Sequence, residues 1–167
     1  AIAQIKVYES PKADALVSPL SGCVPLEVDF ASLATNYSYG VWYFGNGDSS
    51  ESDNDTYTYD AIGSYIPSFI IYGNANCTDT FILPSTIDVF PNPVADFTFD
   101  TEKVITTFTN YSTLANTYLW EFGDGETSIL DNPVHTFPNS SIFNTTLIAR
   151  NNFGCTNSVT KSIDIKN

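Results

Sequence analysis

The sequence contains no methionine, one histidine, three cysteines and six lysines plus arginines among its 167 residues. Each scarcity removes a class of function. Six basic residues stand against nineteen acidic ones, a formal charge of -13, so the chain repels nucleic acid and anionic lipid. No apolar run is long enough for a membrane helix, which argues against direct membrane insertion, and the opening AIAQIKVYES has neither the basic nor the apolar region of a signal peptide. Three cysteines without a Cys-x-x-Cys pair, and a single histidine, leave a zinc site without a ligand pattern. The same lone histidine, His135, has no nucleophile motif around it, and its counterpart in the repeat described next is Tyr57.

What is abundant is aromatic and β-forming: 43% hydrophobic and 14% aromatic residues, with many Thr, Ser, Asn and Tyr. The chain is also internally repeated. VWYFGNG at Val41 to Gly47 returns as LWEFGDG at Leu119 to Gly125, with Trp42 and Trp120 separated by 78 positions. IKVYESPKAD, Ile5 to Asp14, returns as IDVFPNPVAD, Ile87 to Asp96. A repeat of this length buries its own core, so two tandem domains are expected. Their limits fall at 11–90 and 91–167. Residues 1–10 carry Ile2 to Tyr8, expected to be the last strand of a preceding, absent domain, so that the chain is a section of a longer array.

Strand patterns dominate. In PLEVDFAS, Leu26, Val28 and Phe30 alternate with Glu27 and Asp29, which describes a half-buried strand, and Phe108 of KVITTFTN matches Phe30. Further strands are expected over Ser64 to Gly73, Ser141 to Arg150, Thr80 to Val89 and Asn157 to Ile165, with the second domain opening on a strand from Val94 to Phe99. Short strands punctuated by Gly, Pro, Asn and Asp predict an all-β fold of two immunoglobulin-like sandwiches.

In the repeated motif, Trp42 and Phe44, like Trp120 and Phe122, are two apart and share one strand face toward the core. Gly45 and Gly47, and Gly123 and Gly125, permit a tight reversal through positive φ. Between them Asn46 and Asp124 each offer a side-chain oxygen to backbone N–H groups. Catalysis or metal binding would need the charge in both copies, so Asn46 favours the turn role. No Lys-Ser/Thr follows the glycines, which excludes a phosphate loop. DSSESDNDT, with Asp48, Glu51, Asp53 and Asp55, offers calcium ligands densely but lacks the EF-hand spacing, and the matching loop keeps only Glu126 and Asp131. A solvated acidic loop is the simpler reading.

Cys77 and Cys155 follow their tryptophans by the same distance, while the position matching Cys23 is Thr101. The expected pairing is therefore Cys23 with Cys77, worth roughly 4 kcal/mol on the chain-entropy model, with Cys155 left as a lone thiol.

The order WYFGNG or WEFGDG, TYTY or NPVHTF, GSY, and a terminal IDV or IDI strand resembles the PKD (polycystic kidney disease) domain family. The second copy departs from it with Ser141 and Phe143 where the first has Gly63 and Tyr65, so a tyrosine hydroxyl bond at that corner is possible only in the first. The cysteine contexts and tandem arrangement look most like arrays of large bacterial surface proteins, including gliding-motility adhesins of Bacteroidota. That resemblance implies an extracellular, cell-surface, non-catalytic spacer without a cofactor. Its implied partners are neighbouring domains of the same kind, other surface or secretion-system proteins, or glycans. The alternative is a polysaccharide-binding accessory module of a secreted hydrolase, with Tyr37, Tyr39 and Tyr57 stacking on sugar.

Overall fold

The computed structural model describes Gln4 and residues 7–166. The chain divides into two compact units, Ala1–Phe90 and Pro91–Asn167, each an all-β sandwich. Of the leading strand expected over 2–8, residues 2, 3, 5 and 6 lie outside the described residues, and Val7 and Tyr8 are not in a strand.

The first unit comprises β1 (Ala15–Ser18), β2 (Ser21–Cys23), β3 (Leu26–Ser32), β4 (Tyr39–Tyr43), β5 (Ser49–Ser50), β6 (Asn54–Tyr59), β7 (Gly63–Tyr65), β8 (Ser68–Tyr72), β9 (Thr78–Ile82) and β10 (Ile87–Phe90). A 3-10 turn at Asn74–Asn76 joins β8 to β9. One layer is β1-β3-β6 and the facing layer is β5-β4-β8-β9, while β10 runs between β7 and a parallel β2. Leu26, Val28 and Phe30 are buried while Glu27 and Asp29 face out, because successive side chains of a strand alternate between faces. They pack with Trp42, Phe44, Tyr59, Phe69 and Ile71 in one core, where Trp42 stacks on Phe69 at 4.4 Å between ring centroids.

The second unit repeats the plan with fewer, longer strands: β11 (Phe97–Glu102), β12 (Ile105–Asn110), β13 (Thr117–Glu121), β14 (Thr127–Ser128), β15 (Val134–Thr136), β16 (Ile142–Arg150) and β17 (Thr156–Asp164). Its layers are β11-β12-β15 and β14-β13-β16-β17, around a core containing Phe97, Phe108, Trp120, Phe122, Phe137 and Leu147. The first strand starts at Phe97, later than expected, and Val94 makes only an isolated bridge to Thr113.

Two strands expected to be continuous in the first unit are broken. Where β16 runs uninterrupted through nine residues, the first unit has β7 and β8 separated at Ile66 and Pro67, and the later strand divides into β9 and β10 around Pro84. Proline has no N–H to give a ladder, so it sits at strand breaks.

The expected Cys23 to Cys77 bond is not formed. Cys77 is a free, exposed thiol, whereas Cys23 and Cys155 are both disulfide-bonded, so Cys155 is not a lone thiol. Geometry gives the reason. Cys77 lies just before β9, its carbonyl bonded to Gly73 N–H, while Cys23 pairs in register with Phe90, the last residue of β10. β9 and β10, antiparallel to β8 and β7, form one traverse in a single direction, which carries the chain from the Cys77 end of the sandwich to the opposite end, where Cys23 lies beside Phe90. Disulfide bonds persist in oxidising compartments.

Candidate functional site

Both Trp-x-Phe-Gly-x-Gly stretches leave the core and turn back at one edge of their sandwich. Trp42 and Trp120 are fully buried, and their indole N–H groups donate to the carbonyls of Asp53 at 3.3 Å and Leu130 at 2.9 Å. Gly45 and Gly123 have φ of +85° and +90°, and a Cβ there would lie 2.9 Å from Ile66 N and 2.6 Å from Asn144 O. Backbone approach and left-handed conformation both require glycine. Gly47 and Gly125 also have positive φ but open surroundings.

Between the glycines, Asn46 Oδ1 accepts the Asp48 amide at 3.1 Å and Asp124 Oδ1 accepts the Glu126 amide at 3.0 Å. The opposite end of each side chain meets a ring from the neighbouring strand. In the first unit Asn46 Nδ2 donates to the Tyr57 hydroxyl at 2.6 Å, and that hydroxyl donates to Asp48 Oδ2. In the second, His135 Nε2–H donates to Asp124 Oδ2 at 2.6 Å, since a carboxylate only accepts. Both rings lie flat on the motif phenylalanine: Tyr57 on Phe44 at 4.1 Å and His135 on Phe122 at 4.0 Å. Asn46 with Tyr57, and Asp124 with His135, are one structural joint built from two residue pairs.

The electrostatics differ between the copies. Burial works against the Asp124 carboxylate, but the bonds from His135 and the Glu126 amide outweigh it and hold its pKa below the ordinary range. The Tyr57 hydroxyl is pushed up by burial and by its bond to Asp48. His135 is therefore spent on a turn, with rings above and beside it.

A second exchange lies in the core. The carbonyl of Phe44 accepts the buried Tyr59 hydroxyl at 2.8 Å. In the second unit the matching Phe137 has no hydroxyl, and the Phe122 carbonyl instead accepts Thr145 Oγ1 at 3.0 Å, from the position that Pro67 holds in the first. Buried carbonyls demand a donor, and each copy recruits it from a different strand. The corner tyrosine bond occurs in the first unit, where Tyr65 donates to Ala61 O at 2.9 Å.

The four acidic calcium candidates do not converge. Asp48 belongs to the Tyr57 joint, Asp53 contributes its backbone carbonyl to Trp42 and Ser32, Asp55 accepts its own neighbour's amide at Thr56, and Glu51 is exposed. Among the described residues no three His, Cys, Asp or Glu side chains form a metal-holding group. Asn54, inside this acidic stretch, instead caps β3 by accepting Ser32 N–H, as Asn132 does for Asn110.

The three tyrosines separate in the same way. Tyr57 is stacked and bonded in the turn, and Tyr37 packs edge-on against Phe69 with its hydroxyl against Ser32 Oγ. Tyr39 is half exposed, its ring parallel to Tyr72 at 4.5 Å.

Among solved structures, the PKD1 domain of Vibrio anguillarum Epp is 25% identical, covering 45% of this chain and 94% of its own, with a TM-score of 0.43. The PKD1 domain from the Vibrio cholerae metalloprotease PrtV is 26% identical over 46% of this chain and 99% of its own, with a TM-score of 0.44. A structure of carbohydrate-binding modules from the β-sandwich superfamily is 20% identical over 87% of this chain and 56% of its own, at 0.48. No curated protein matches the chain. The family that matches is the PKD domain, over residues 91–166, the whole strand content of the second unit.

Proposed function

We propose that the chain is a non-catalytic structural section of an extracellular protein, spacing other domains from the cell surface in an adhesin-like array. The observation that carries this reading is the use of the repeated motif. In both units its aromatics are core, its glycines are conformational necessities and its polar residue closes a turn. The one histidine is bonded to that turn, and its pair with Asp124 is replaced by Asn46 and Tyr57 in the other copy, so the two copies share no histidine–carboxylate pair. A disulfide-bonded Cys23 and Cys155 fit an oxidising, extracellular setting.

The test is substitution of the section within its parent protein. Replacing 11–166 by two unrelated β-sandwiches of equal length should preserve adhesion to a surface free of neutral polysaccharide, whereas deleting the section should reduce it, with surface display followed by immunolabelling of intact cells. Loss of adhesion on equal-length replacement would refute a spacing role.

A further inference from the structure

The side chains that β4, β8 and β9 present on the outward face of the first unit's β5-β4-β8-β9 sheet carry no charge, and the charges beside this face are the acidic Asp48 and Glu51 that flank β5. From β4 the face presents Tyr39, Val41 and Tyr43, and their register partners on β8 are Tyr72, Ile70 and Ser68. The next strand, β9, extends these rows with Thr and Ile side chains only. In a chain of net charge -13 such a face is conspicuous for what it omits. The same face of the second unit has Glu121 where the first has Tyr43, and Arg150 where it has Tyr72.

Tyr39 is placed to stack on a ligand. Its ring and that of Tyr72 are parallel within 6°, so each covers one face of the other. The remaining face of Tyr39 lies toward β5, but β5 pairs only with Trp42 and Tyr43 and stops short of the Tyr39 row. Tyr39 thus has one face held and one face open, at 54% exposure. Tyr43 stands four residues along the strand, about 13 Å away.

We propose that this face binds a neutral polysaccharide, with Tyr39 as the stacking residue, Tyr72 as the residue that positions it, and Tyr43 extending the strip. Sugar rings carry apolar C–H faces that stack on aromatics and hydroxyls that pair with Thr, Ser and Tyr hydroxyls. The absence of charge selects against an acidic glycan or an ionic protein partner. A second copy of the chain is a poor occupant. Three five-residue strands, even with Tyr39, Tyr43 and Ile82 exposed, offer accessible surface on the order of a few hundred Å², below the roughly 800 Å² per partner of a stable interface.

The experiment is retention on swollen cellulose, colloidal chitin and an acidic control, dextran sulfate, using the full chain. Retention on a neutral matrix is expected, weakened roughly three- to tenfold by Tyr39→Ala, kept by Tyr39→Phe, and unchanged by Tyr111→Ala, an exposed tyrosine of the second unit. Because Tyr39→Phe keeps the ring pair, it separates stacking from misfolding. The proposal is overturned by no retention on either neutral matrix, by preference for dextran sulfate, by equal retention of Tyr39→Ala, or by a mass doubling in solution that Tyr39→Ala abolishes.

Discussion

Replacing Tyr59 by Phe removes one oxygen atom from a side chain that is 1% exposed, and with it the donor to the Phe44 carbonyl at 2.8 Å. The ring and its packing survive, so the effect isolates the hydrogen bond. A net bond is worth about 0.5–1.5 kcal/mol, but a buried acceptor left unpaired raises the loss to about 1–3 kcal/mol. The second unit specifies the remedy: Pro67→Thr places a hydroxyl where Thr145 serves the matching carbonyl. Alone, Pro67→Thr should cost about 0.4–1 kcal/mol through greater freedom of the unfolded chain. Combined with Tyr59→Phe it should restore most of the lost stability, a coupling of about 1 kcal/mol or more. Urea titration followed by the indole N–H resonances of Trp42 and Trp120 resolves the two units, and at a slope near 1 kcal/mol/M the single variant shifts the Trp42 midpoint down by about 1 M or more. The Trp120 transition serves as the internal reference. A cost below about 0.5 kcal/mol, or additive costs in the double variant, would refute the exchange of donors.

Three further outcomes follow from the same geometry. Gly45→Ala should destabilise the first unit more than Gly47→Ala by melting temperature, because both incur the roughly 1–2 kcal/mol of left-handed backbone but only Gly45 also meets the Ile66 backbone. Since the folded pKa of Asp124 is depressed, its contribution is present above the ordinary carboxylate pKa and lost as pH falls through the folded value. Asp124→Asn should therefore flatten the acid limb of the second unit's stability below about pH 4, and an unchanged limb in a unit-resolved pH titration would count against the joint. Cys77 should react with iodoacetamide in the native, unreduced chain, giving a single adduct by intact mass, and Cys77→Ser should change stability by no more than about 0.5 kcal/mol.

Much of this architecture is legible in the sequence because it rests on local rules. Alternating Leu26, Val28 and Phe30 can only make a one-sided strand, and two aromatics before Gly-x-Gly can only be a core strand meeting a turn. Asn46 and Asp124 perform the turn role that their side chains share, acceptance through oxygen. What stayed hidden depends on which ends of strands meet. Equal spacing from the tryptophans correctly makes Cys77 and Cys155 equivalent positions, but says nothing of which end of the sandwich Cys23 occupies. The joint was half visible: Asn46 for Asp124 and Tyr57 for His135 are exchanges at the same repeat offset, and only the contact shows that they occur together. Pro67 against Thr145 belongs to the same class, a pair of differences that the sequence displays and the buried carbonyl explains.

The two donor arrangements also bear on how adjacent repeats avoid exchanging strands while folding, a characteristic failure of tandem domains. A hybrid sandwich that combined β11 to β15 of the second unit with β7 to β10 of the first would bring Phe137 together with Pro67. Neither side chain carries a hydrogen-bond donor. The Phe122 carbonyl would then be buried without a partner, at a cost of about 1–3 kcal/mol, a substantial part of the stability of so small a domain. One pair of substitutions between otherwise similar repeats thus penalises one of the two possible mispairings and favours each unit closing on its own strands.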